Sequence, residues 1–119
     1  MINNIKATGI PLTDAIRVYA EEKLGSVEKF VDAKAGPVSM DVELERTTKH
    51  HQKGDVYRAE LNLRVRGELL RAEIVDSNLY TAIDKLREEI IREIKSKKGR
   101  RESLLRRGSR FIKGLIKGD

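Results

Sequence analysis

The chain contains no cysteine. That excludes disulfides, thiol catalysis and thiolate metal sites, and it fits a cytoplasmic protein. No stretch approaches the roughly 18 to 20 apolar residues that a bilayer-spanning helix needs. The N-terminal run Met1-Ile2-Asn3-Asn4-Ile5-Lys6 lacks a basic region followed by an apolar one, so no signal peptide is expected. Catalytic signatures are missing as well: there is no Ser/His/Asp set, no phosphate-cradling glycine loop and no zinc motif. The expectation is a protein that is not an enzyme and needs no cofactor. Aromatics are scarce, with three Tyr, two Phe and no Trp.

What is abundant is charge, at 37% of the 119 residues, beside 39% hydrophobic residues. That balance suits one small globular domain with a heavily charged surface. The distribution of charge is more informative than its amount. Residues 1–97 hold 17 Lys/Arg and 17 Asp/Glu, a net of zero. Residues 98–119 hold Lys98, Arg100, Arg101, Arg106, Arg107, Arg110, Lys113 and Lys117 against Glu102 and Asp119, so the tail carries the whole net charge of +6. We therefore divide the chain into a domain, 1–97, and a basic, flexible tail, 98–119. Such a tail points to an anionic partner, nucleic acid or a membrane surface.

Hydrophobic periodicity gives the elements. Ile2 to Thr8 reads as a short strand broken by Gly9-Ile10-Pro11. Thr13 is placed to cap a helix in which Ile16, Ala20, Leu24, Val27 and Val31 recur, ending near Asp32. Lys23 falls inside that apolar arc and must snorkel outward. Residues 38–46 alternate, with Val38, Met40, Val42 and Leu44 inward and Ser39, Asp41, Glu43 and Glu45 outward. After a polar loop from Thr47 to Asp55, Tyr57, Ala59, Leu61, Leu63 and Val65 alternate with Arg58, Glu60, Asn62, Arg64 and Arg66. Arg66-Gly67-Glu68 reads as a tight hairpin turn, and Leu70, Ala72 and Ile74 continue as the next strand. Acids on one outer strand are expected to face bases on its neighbour. Asp76-Ser77 opens the last helix, whose stripe is Leu79, Ala82, Ile83, Leu86, Ile90 and Ile94. That helix is expected to stop at Lys98-Gly99 and to carry a Glu88–Arg92 pair. The order β-α-β-β-β-α with one apolar sheet face predicts a two-layer α+β fold: a four-stranded sheet with both helices packed on one face. The first two strands should be parallel if adjacent.

Several of these segments are similar to a known family. Leu12 to Arg17, and Leu24 with Val27 to Phe30, resemble the first helix of the ribosome hibernation factors, also called ribosome-associated inhibitors or sigma-54 modulation proteins. Asn78-Leu79-Tyr80-Thr81-Ala82-Ile83-Asp84 resembles their motif of Asp, Met, Tyr, small residue, Ala, Ile, Asp/Asn, departing at Asn78, where the family has an acid. The basic run Arg92 to Arg101 lies where the family has a Lys-rich helix end. The resemblance spans about residues 2–98. It implies the same fold and binding to the small ribosomal subunit, in the channel that messenger and transfer RNA occupy, so that translation is shut down by occupancy. The 22 residues after Lys97 are too few for the C-terminal domain of long members, so a short form is expected.

The candidate contacts to ribosomal RNA are Arg92, Lys95, Lys97, Lys98, Arg100 and Arg101, with Arg17, Lys23 and Lys29 from the first helix. Cations also complement a helix C-terminus, but six in ten residues exceed what a dipole requires. With no aromatic on the outer sheet face, recognition should rest on phosphate and shape, and sequence-specific DNA binding is not expected. Tyr80 reads as core-edge packing before base stacking. Adjacent His50 and His51 do not make a metal site without further ligands. Asp41, Glu43 and Glu45 read as ion-paired with Arg58, Arg64 and Arg66, not as acid/base catalysts. In the tail, Leu104, Leu105, Phe111, Ile112, Leu115 and Ile116 take one helical face, and Arg106, Arg107, Arg110 and Lys113 mostly the other. Gly108 and Gly114 each cost about 1 kcal/mol relative to Ala in a helix. Three readings compete for this tail: disorder until RNA binds, docking on a protein partner or second copy, and a membrane-surface anchor. The alternatives to a hibernation factor are a stand-alone structured-RNA-binding module and a regulator docked on membrane or protein by its tail.

Overall fold

The computed structural model describes residues 2–31, 37–47, 54 and 56–116, with side chains described through Lys98. Strand β1 (Asn4–Thr8) leads to helix α1 (Asp14–Gly25), which tightens into a 3₁₀ turn (Ser26–Phe30). Strands β2 (Val38–Thr47), β3 (Val56–Val65) and β4 (Glu68–Asp76) follow, then helix α2 (Leu79–Ile116). The sheet order is β1-β2-β3-β4, with β1 parallel to β2 and the other pairs antiparallel. This is the expected α+β architecture.

The alternation read from the sequence sets the burial. Met40, Val42, Leu44, Ala59, Leu61, Leu63, Leu70 and Ala72 enter the core from the sheet. Ala20, Leu24 and Val27 meet them from the first helical segment, and Leu79, Ala82, Ile83, Leu86, Ile90 and Ile94 from α2. Each fully buried Leu or Ile here contributes roughly 1.5–3 kcal/mol of transfer free energy. Ile91 is also buried. It lies outside the predicted stripe, on the flank of α2 that faces the first helix.

Two backbone positions require glycine. Gly9, leaving β1, has φ +76°, and a Cβ there would stand 2.8 Å from the Arg46 carbonyl oxygen. In the hairpin, Arg66 (φ 55°) and Gly67 (φ 78°) form the two-residue turn with both central φ positive that matches strand twist.

Four expectations are corrected. The first helix keeps α geometry only to Gly25, because the Ser26 hydroxyl donates to the Lys23 carbonyl at 2.6 Å and the chain tightens. Helix α2 opens after Asn78, not at Asp76-Ser77: the Asn78 side-chain oxygen accepts from the Thr81 N–H at 3.1 Å as cap, while Asp76 accepts from the Asn78 N–H at 3.0 Å. Third, α2 does not stop at Lys98-Gly99 but runs to Ile116. Gly99, Gly108 and Gly114 each cost only about 1 kcal/mol, and the flanking Lys, Arg, Glu and Leu are strong helix formers. Finally, the sheet register pairs acid with base on only some rungs, Lys6 opposite Glu43 and Glu45 opposite Arg58. It stacks Glu43, Glu60 and Glu73 in one row over three strands. The like charges are neutralised from the side by arginines one rung away.

Candidate nucleic-acid interface

Contacts between the two helices fix their relative course. Tyr19 meets Tyr80 edge-on at 4.8 Å between ring centres. The Tyr19 hydroxyl donates to Asp84 at 2.6 Å, Arg87 Nε donates to the Ser26 hydroxyl at 2.7 Å, and the Lys95 ammonium sits 5.4 Å from the centre of the Phe30 ring. Partners advance together along both segments, so α1 and α2 lie side by side and run in the same direction. Tyr80 is half exposed and serves this seam, in keeping with a core-edge role. The hydrogen bond to Asp84 raises the Tyr19 pKa above its ordinary value.

An open groove of about 580 Å³ follows the seam, lined by Glu22, Lys23, Ser26, Asp84, Lys85, Arg87 and Glu88. Three carboxylates and three cations cancel there, so the groove itself offers no net attraction to phosphate. Lys85 is tied to Asp76 at 2.7 Å, and that bond, with the Asn78 N–H, holds the Asp76 carboxyl below its ordinary pKa. Lys85 and Arg87 were not among the sequence candidates. Their place on the seam depends on how the two helices pack, which spacing within one helix does not reveal.

Beyond the groove the balance changes. Lys29 on the 3₁₀ turn, and Arg92, Lys95 and Lys98 on α2, are all exposed. Arg17 is exposed on the first turn of α1. Lys23 reaches solvent over the Tyr19 ring at 5.7 Å, as its position in the apolar arc required. Arg92 pairs with Glu89 at 2.8 Å, not with the expected Glu88, which takes Arg87 instead. Lys97 turns toward the sheet, 3.9 Å from Glu68. Exposed pairs of this kind are worth about 0–1 kcal/mol, little enough for a phosphate to displace them. Arg17, Lys29 and Lys98 make no ion pair with another described residue. The side chains of Arg100, Arg101, Arg106, Arg107, Arg110 and Lys113 lie outside the described residues, as do His50 and His51.

The outer sheet face is different in kind. The Arg58 guanidinium contacts Glu43, Glu45 at 3.3 Å, Glu60 at 3.4 Å and Glu73 at 3.2 Å. Burial works against its charge, but bonding to Glu45 and the surrounding carboxylates raise its pKa. Glu60 is buried and accepts from Arg71 Nε at 2.8 Å and from Asn62 at 3.3 Å. Burial opposes its ionisation, yet those bonds win and hold its carboxyl below the ordinary range. Of the expected partners of these acids, Arg64 stands outside this network and Arg66 sits in the hairpin turn, past the end of β3. Among the described residues no group of three or more His, Asp or Glu could hold a metal ion.

A two-layer β-α-β-β-β-α domain with two co-directional helices and a cationic end to their seam defines the class of protein. Residues 3–102 match the family described as Sigma 54 modulation protein / S30EA ribosomal protein, and the chain belongs to it. It is similar to the ribosome hibernation promotion factor of Lactococcus lactis subsp. cremoris, 32% identical over 97 residues, covering 82% of this chain and 49% of that protein. The Deinococcus radiodurans ribosome hibernation promotion factor is 28% identical over 100 residues, covering 83% and 50%. The chain thus spans about half the length of these relatives. The N-terminal domain of Thermus thermophilus Protein Y superposes with a TM-score of 0.66 at 30% identity, covering 80% of this chain and 96% of that one. A ribosomal subunit interface protein from Coxiella burnetii shares the fold, with a TM-score of 0.61 at 15% identity, covering 81% and 98%.

Proposed function

We propose that this chain is a cytoplasmic ribosome hibernation factor that binds the small subunit in the decoding channel and inhibits translation by occupying the messenger and transfer RNA sites, without catalysis. The single observation that carries this reading is the cationic cluster of Lys29, Arg92, Lys95 and Lys98 at the end of the helical seam, in a chain of this family. The cluster is exposed and only weakly paired, as a surface that neutralises phosphates must be. Arg17, Lys23 and Lys97 extend it, and Arg100 and Arg101 continue its sequence along α2. The tail cations Arg106, Arg107, Arg110 and Lys113 are further contacts in this reading. Recognition rests on phosphate spacing and shape, because no aromatic stands on the outer sheet face.

Co-sedimentation of the purified chain with ribosomes and isolated subunits at moderate salt tests the proposal. Pelleting with small subunits, competed by messenger and transfer RNA, is the expected outcome. Binding to naked duplex RNA as tight as to ribosomes would favour a stand-alone RNA-binding module. One observation favours a second reading. Because α2 is continuous to Ile116, the basic amphipathic stretch 103–116 is presented as a helix, the form that docks on a protein groove or an anionic membrane. In that case deleting 103–117 abolishes function while sparing ribosome binding.

A further inference from the structure

We propose that β4 is an interface at which two copies of this chain pair edge to edge, antiparallel, across a two-fold axis at Ala72. The strand is the last of the sheet and runs nine residues, against five for β1 at the other edge. Long edges are ordinarily blunted by prolines, bulges or inward charges, because their free backbone groups recruit further strands. The outward side chains of β4 are Leu69, Arg71, Glu73 and Val75. Leu69 is 45% exposed and Val75 59%, and neither belongs to the core.

The hairpin decides which backbone groups are available. A two-residue turn closes on a hydrogen-bonded pair, here Val65 and Glu68. Antiparallel alternation then turns the N–H and C=O of even-numbered β4 residues toward β3. Those of Leu69, Arg71, Glu73 and Val75 point away from the sheet. A second β4 can use them only in registers that set odd residues against odd residues.

Centring the pair on Ala72 sets Arg71 against Glu73 of the second copy and Leu69 against its Val75, each twice by symmetry. Shifting the axis to Arg71 sets Arg71 against itself, and shifting it to Glu73 does the same for Glu73. Like charges directly opposite are destabilising, whereas opposite charges and apolar pairs stabilise. The central register also brings Glu68 near Asp76 of the other copy, but α2 already supplies a lysine to each. Lys97 lies 3.9 Å from Glu68 and Lys85 2.7 Å from Asp76. The strand is therefore self-complementary in one register and self-repelling in the two beside it. The axis runs perpendicular to the sheet, so the helices of both copies share one face of an eight-stranded sheet. Lys97 borders both surfaces, but Lys29, Arg92, Lys95 and Lys98 take no part in this interface, and it does not depend on the ribosome reading.

Sedimentation equilibrium of the full chain without ribosomes, up to about 0.5 mM, tests the proposal. The mass is expected to rise with concentration toward twice the 13.5 kDa of the monomer. The variant L69K/V75K, altered only at exposed positions, should remain monomeric with an unchanged circular dichroism spectrum. The chain has no cysteine, so A72C introduces a single thiol. Its Cα should stand about 4.5 Å from its mate in a non-hydrogen-bonded pair, within reach of a disulfide. A covalent dimer on mild oxidation is expected. A mass that stays monomeric throughout, or association that persists in L69K/V75K, overturns the interface. Association without an A72C cross-link overturns the register.

Discussion

On the outer face of the sheet, Arg58 and Arg71 are surrounded by Glu43, Glu45, Glu60 and Glu73. On the helical face, Lys29, Lys95 and Lys98 stand exposed, and Arg92 is held only by a surface pair. Both surfaces are rich in charge, but on the first Arg58 and Arg71 are taken up by glutamates while Arg64 stands outside that network, whereas the second presents several loosely held cations together. On the first face Arg58 and Arg71 are committed within the sheet: three glutamates share one rung and need both arginines to remain ionised side by side. A formal charge count cannot distinguish these surfaces. What a partner meets is the charge left over after internal pairing, and here that remainder collects at one end of the helical seam.

Four measurements test this contrast. Replacing Lys29, Arg92, Lys95 and Lys98 together by Glu should weaken ribosome binding by about 100-fold or more. It should also flatten the salt dependence by nearly one unit of log–log slope for each phosphate that is no longer neutralised. Titrations at several salt concentrations read both effects. An equal loss from R64E, an exposed change on the sheet, would erase the distinction.

Arg58→Ala should produce the opposite pattern. Its side chain is only 20% exposed and touches four carboxylates, so its loss should lower stability by about 2 kcal/mol in urea titrations while leaving ribosome affinity unchanged. Acid should act on this network, through Glu60, and on the Asp76–Lys85 pair beside it. The carboxyls of Glu60 and Asp76 are held below their ordinary values of 4.5 and 3.8. Groups depressed in the folded state stabilise it above their unfolded pKa, and that stability is lost as pH falls through the folded one. The thermal midpoint should therefore hold above about pH 5 and drop below about pH 4, with E60Q showing a shallower drop. Smallest of all should be Lys23→Ala, which removes one cation from a groove of balanced charge. A change in affinity within about threefold is expected, and a larger one would extend the interface into the groove.

Most of the fold was legible because period 2 and period 3.6 are written plainly in β2, β3, β4 and α2. Strand register was not. The rung of Glu43, Glu60 and Glu73 depends on an offset between β2 and β3 that a polar connection does not encode, so the expected acid-to-base pairing holds at Glu45 and Arg58 but not on that rung, even though every side chain was placed on the correct face. Local competition caused the other misses. Ser26 diverted a helical carbonyl, the Asn78 cap set the start of α2 two residues past Asp76, and Arg92 took Glu89 in place of Glu88. At the candidate site, clustering of cations was visible in the sequence, but cancellation was not. Lys85, Arg87 and Ile91 acquire their roles only when α1 is laid against α2.

The length of α2 has an electrostatic consequence. A helix carries roughly half a negative charge at its C-terminal end, and that end repels phosphate. Had α2 stopped at Lys98-Gly99, its bare carbonyls would have stood among the lysines that are to meet RNA. Running on to Ile116 carries them about 27 Å further along the axis, well past the roughly 8 Å over which such fields act at physiological salt. The extension thus removes an opposing dipole from the cationic cluster, a service it performs whether or not its own side chains touch anything.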